Sequence, residues 1–100
     1  MVTRQEYVEK LRKQLDDWNY KWNIERNKLE AKAQRAEASV KNKVHQEIEA
    51  IQRKRDRVKE KIRQINLASD SAWQDLKEGA QTSWNELLEA FNKARSRFDR

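Results

Sequence analysis

The chain has 100 residues, room for one domain taken here as 1–100, and 40% of them are charged, with a net charge of +6 at pH 7. It has no proline, no cysteine and one glycine, which excludes disulfides and thiolate metal sites and leaves almost none of the turn chemistry that sheets require. No apolar run approaches the roughly 18 residues of a membrane span, and the opening "MVTRQEYVEK" lacks the apolar core of a signal peptide, so the expectation is a cytoplasmic, all-α chain of the long-helix, coiled-coil class.

The first element opens with Val8, Leu11, Leu15, Trp18 and Trp22 at alternating spacings of three and four, a heptad-like stripe. A longer beat underlies it. Tyr7, Trp18, Leu29, Val40, Ile51, Ile62, Trp73 and Trp84 stand eleven residues apart, and only the ninth place, Arg95, breaks the column. Eleven residues make three α-helical turns, so a helix puts the whole column on one face, whereas a strand would scatter it to both sides. Leu11, Trp22, Ala33 and Val44 widen this face early in the chain. Ile65, Leu76, Leu87, Phe91 and Phe98 widen it later, on the other side. From Trp22 to Val44 the spacing is interrupted by Glu25.

Lys10, Lys21, Lys32, Lys43 and Lys54 repeat the same interval on the shoulder of the stripe. Such lysines can cover the edge of a helix seam with their stems, or reach anionic headgroups at a membrane surface. The segment "RKRDRVKEKIR" at 53–63 adds Arg53, Arg55, Arg57 and Lys61 as candidate anion contacts. Residues 1–70 hold 18 Lys and Arg against 12 Asp and Glu, while residues 71–100 hold five of each. The excess positive charge therefore lies in the first part.

Two places can end a helix. "NLASDSAW" at 66–73 offers Ser69, Asp70 and Ser71 as N-caps, and Ser71 with Gln74 has capping-box spacing. "AQRAEAS" at 33–39 is a weaker break. The first alone predicts a helical hairpin, an antiparallel coiled coil with helices near 3–67 and 71–98. Adding the second predicts a three-helix bundle. In the hairpin the shorter helix covers roughly residues 35–67 and leaves Trp18 and Trp22 in water, where each forfeits about 1.5–3 kcal/mol. The hairpin therefore calls for a partner, a homo-oligomer or another helical protein. Gly79, with Ala80 and Ser83, makes a small-residue patch that a second helix could approach.

Catalytic constellations are missing from the pattern. Asp16 and Asp17 are adjacent and point about 100° apart on a helix. His45 and Glu49 supply two metal ligands where four are needed. No serine has a histidine at a suggestive spacing, and there is no glycine-rich phosphate loop. The reading is a non-enzyme without cofactor or metal.

The segments "EYVEKLRKQLDDWN" (6–19) and "ASDSAWQDLKEGAQTSWNELLEAFNKARSRF" (68–98) resemble a family of short bacterial coiled-coil stress-response proteins, which open on a Tyr-Val-Glu-Lys-Leu phrase and close on paired Ala-Trp-x-x-Leu phrases. The resemblance implies a small, non-enzymatic helical protein; the basic segment 53–63 departs from a family with more acidic chains. The functional expectation is a self-associating structural or scaffold protein, stress-related by resemblance. Its alternatives are a peripheral protein of anionic membrane surfaces and, less favoured, a nucleic-acid-binding protein acting through 53–63.

Overall fold

The structure, a computed structural model, describes residues 2–98; Phe98 closes the last helix, and its side chain lies outside the described ones. Three helices follow one another: α1 (Arg4–Arg35), α2 (Ala38–Leu67) and α3 (Trp73–Phe98). No strand occurs among the described residues.

The N-terminus of α1 is fixed by a capping pair. Thr3 accepts a hydrogen bond from the Glu6 N–H at 3.1 Å through its hydroxyl, and Glu6 places a carboxylate in the first turn. The α2–α3 turn is capped by Ser69, whose hydroxyl accepts from the Ala72 N–H at 3.3 Å. Ser69 is one of the three candidates there; Ser71, with its capping-box spacing to Gln74, is exposed in the turn, and α3 starts two residues later than the expected position 71.

The stretch that the hairpin alternative runs unbroken near 3–67 is two helices, parted inside the weaker candidate break at 33–39. Ala36 and Glu37 adopt extended backbone, and no side chain caps α2. Neither glycine nor proline forces this break. Its cause is tertiary: a straight rod would leave half of its apolar face in water. Folding α2 back on α1 buries that face, gaining about 1.5–3 kcal/mol for each large side chain covered. That exceeds the cost of two helix ends.

Contacts fix the directions of the helices. Arg4 at the start of α1 meets Ala68 and Asp70 beyond the end of α2. Arg57 meets Glu86 and Glu47 meets Arg97, so α2 runs antiparallel to α3. Tyr7 meets Trp73 and Trp18 meets Phe91, so α1 and α3 run parallel. The described chain measures 52 × 19 × 18 Å, about one helix length by two helix diameters. Backbones approach closely along α1–α2 and α2–α3, and much less along α1–α3.

The eleven-residue column supplies the centre of the core. Tyr7, Trp18, Leu29, Ile51, Ile62, Trp73 and Trp84 are all buried, in one cluster with Leu11, Trp22, Ile65, Leu87 and Phe91, against which Leu76 packs half-buried. Val40 alone fails, being 42% exposed, because it sits in the first turn of α2 beside the break. The aromatic residues that a hairpin would leave in water, Trp18 and Trp22, are 4% and 0% exposed within the single chain.

Candidate functional site

The side chains singled out by the stripe converge on an aromatic cluster between α1 and α3. Trp18 and Trp22, one helical turn apart, stack with ring centres 5.7 Å apart and planes 10° from parallel. Phe91 of α3 sets its edge against both, at 5.6 and 6.2 Å. Edge-to-face and offset-stacked geometries are those that the ring quadrupoles favour. Near the other end of α1, Tyr7 tilts against Trp73 at 6.1 Å and donates its hydroxyl to the Lys77 carbonyl at 3.2 Å, while the Lys77 ammonium lies 5.2 Å over its ring. Burial raises the Tyr7 phenol above its ordinary value.

The two interruptions of the apolar pattern meet in space. Glu25 is 4% exposed and pairs with Arg95 across the α1–α3 seam at 3.8 Å. Arg95 also stands 5.6 Å over the Phe91 ring. Other buried polar atoms lie on α1 and α2. Trp18 Nε1, Trp22 Nε1, Asn19 Oδ1, Arg26 Nε and Arg55 Nε have no hydrogen-bond partner among the described residues.

Because α1 and α3 touch mainly through rings, their seam stays open as a shallow groove. Trp18, Trp84 and Phe91 form its floor, and Lys21, Leu88 and Arg95 line its edges. It continues past Ile24, which is 45% exposed, to Lys28.

The candidate anion contacts do not gather into one surface. Lys10, Lys21, Lys32 and Lys43 are exposed, and Lys54 is half-buried. The turn at 36–37 puts the first three on α1 and the last two on α2, so the five-lysine row is broken. Lys21 edges the α1–α3 groove, whereas Lys54 lies in the α2–α3 groove among Glu47, Glu86 and Glu89. Within 53–63 the arginines each hold a carboxylate: Arg53 with Glu49, Arg55 with Asp56, Arg57 with Glu86 and Arg63 with Glu60. The two hydrogen bonds from Arg63 hold the Glu60 carboxyl below its usual range. Lys61 lies beside Gly79, and a Cβ added at Gly79 would meet only the Lys61 ammonium, at 3.9 Å. Among the described residues no helix backbone lies against Gly79, while Ala80 and Ser83 are buried.

Asp16, Asp17 and His45 are exposed, and among the described residues no three His, Cys, Asp or Glu side chains are grouped to hold a metal ion. No described helix is long and apolar enough to cross a membrane. Compared with models of protein families, with curated proteins and with solved structures, the chain finds no match in any of the three.

Proposed function

We propose that this is a non-catalytic structural protein that works by helix–helix association, closing into a three-helix bundle as a single chain and assembling further with copies of itself. One observation carries the reading. The amphipathic stripe that runs the length of the chain, including all four tryptophans, is spent on packing helices against one another. What remains outside is a largely charged surface with isolated apolar side chains such as Tyr20, Val40 and Leu67, and the open α1–α3 groove. That groove, with an aromatic floor and the exposed Ile24 at its edge, supports assembly because apolar surface so placed gains by being covered. By the resemblance of 6–19 and 68–98, the setting proposed is a stress response in a bacterial cytoplasm. Sedimentation equilibrium and thermal melts over a range of concentrations test the reading. Association and a midpoint that rises with concentration support it. A chain that stays monomeric, with a concentration-independent melt, contradicts it.

A second reading, contact with an anionic surface, is favoured by the basic segment. Lys54, Lys59 and Lys61 make no ion pair among the described residues. Co-sedimentation with anionic vesicles that disappears as salt rises, with tryptophan emission unchanged, would support it.

A further inference from the structure

We infer that the turn at Ala36–Glu37 is a hinge, and that its straightening exchanges α1 between two copies of this chain to give an elongated dimer. The inference rests on the self-association reading and names the element exchanged, α1, in place of the groove.

Four observations converge on this segment. First, "AQRAEAS" is made of helix formers with no glycine or proline, and every described residue keeps a negative φ. Second, α2 begins without a marker: no side chain caps it and no acidic residue lies in its first turn. The start of α1, by contrast, is capped by the Thr3 hydroxyl. Third, the apolar phase passes through the break undisturbed. Leu29, Val40 and Ile51 keep the eleven-residue interval, and Ala33, Ala36, Val40 and Val44 continue the stripe between them. In the closed chain Val40 is the one exposed member of the column. In a straight helix it returns to the seam. Fourth, α1 and α2 are already antiparallel neighbours joined by two extended residues.

These facts determine the open form. A continuous helix from Arg4 to Leu67 measures roughly 95 Å, and two such helices lie antiparallel about an axis at the hinge. Each α1 then packs on α2 and α3 of the other copy through the contacts it makes in its own chain, including Trp18 and Trp22 on Phe91. Every core contact is kept. The backbone groups of the hinge gain intrahelical hydrogen bonds, and Val40 is covered. The opposing term is the entropy of association, so concentration sets the balance.

The hinge offers a selective variant. Glu37 has φ −64° and follows Ala36 at φ −94°, ψ 161°, which suits proline and its predecessor, and the Glu37 N–H makes no backbone hydrogen bond among the described residues. Glu37→Pro therefore fits the closed chain and excludes the continuous helix. Val40→Leu acts oppositely, adding one buried methylene per chain in the dimer alone.

The experiment is sedimentation and small-angle X-ray scattering of the full chain from micromolar to millimolar concentration. The wild type is expected to pass from a monomer near 52 Å long to a dimer of roughly 95–100 Å. Glu37→Pro is expected to remain monomeric with undiminished helicity, and Val40→Leu to dimerise at roughly tenfold lower concentration. A wild-type monomer at every concentration overturns both this inference and the self-association reading. A dimer no longer than about 60 Å, a little over one helix length, or one that survives Glu37→Pro, overturns the exchange and leaves self-association standing. Should Glu37→Pro lose helicity, Val40→Leu decides: an unchanged dimer midpoint overturns the hinge.

Discussion

Phe91 is the side chain through which α3 holds the tryptophan pair of α1, and Phe91→Ala tests that packing directly. The ring is buried and meets both Trp18 and Trp22 edge-on. Phe→Ala in a closed core costs about 3–5 kcal/mol. Here the ring forms part of the floor of an open groove, so water can enter the space it leaves and the cavity contribution shrinks. The expected loss is therefore near the lower end, about 3 kcal/mol. For a domain whose whole stability is about 5–15 kcal/mol, that lowers Tm by something on the order of 20 °C. Urea unfolding at micromolar concentration, followed by circular dichroism and tryptophan emission, measures it. The control is Tyr20→Ala, because Tyr20 lies between the two tryptophans in sequence and is 71% exposed; it should change stability by less than about 0.5 kcal/mol. A Phe91→Ala loss below about 1 kcal/mol, or a Tyr20→Ala loss of equal size, would refute the packing.

Gly79→Ala should stabilise the chain by roughly 0.5–1 kcal/mol, since the position is helical and the added methyl meets only a flexible lysine tip; a lowered urea midpoint would show that something packs there after all. Thr3→Ala removes the hydroxyl that accepts from the Glu6 N–H and should cost about 1 kcal/mol, with faster amide exchange confined to the first turn of α1. Tyr7 makes stability fall at alkaline pH. Its phenol is raised in the folded chain, so its contribution is intact below the ordinary value of 10.0 and is lost as pH rises from there through the folded value. Tyr7→Phe should remove that part of the alkaline loss, and equal alkaline slopes for the two proteins would contradict the assignment.

The core could be read from the residues because its signal is redundant. Eight apolar side chains at one interval define a face, and the hydrophobic effect buries the seven that lie away from the break. The break at 36–37 leaves a fainter trace, the low apolar content of 33–39, which marks it only as the weaker of two candidate breaks. It has no proline, no glycine and no cap, and it exists because two distant halves of the chain cover each other. That is a tertiary gain which a local pattern cannot register. The lysine row is divided between α1 and α2 for the same reason: a regular interval describes one face only while the helix is continuous. Thr3 and Glu6 stand at capping-box spacing in the sequence, whereas among Ser69, Asp70 and Ser71 only the structure shows that Ser69 bonds the Ala72 N–H. Glu25 and Arg95 were each visible as a flaw in the apolar pattern. Their pairing required knowing that α1 and α3 run parallel.

The most direct test of the account is acrylamide quenching of tryptophan emission at a concentration where sedimentation shows a monomer. With Trp18, Trp22, Trp73 and Trp84 each below a tenth exposed in the single chain, the emission should be blue-shifted and poorly quenched. Quenching and wavelength like those of the unfolded chain, recovering only when the protein is concentrated, would contradict a core that one chain completes by itself.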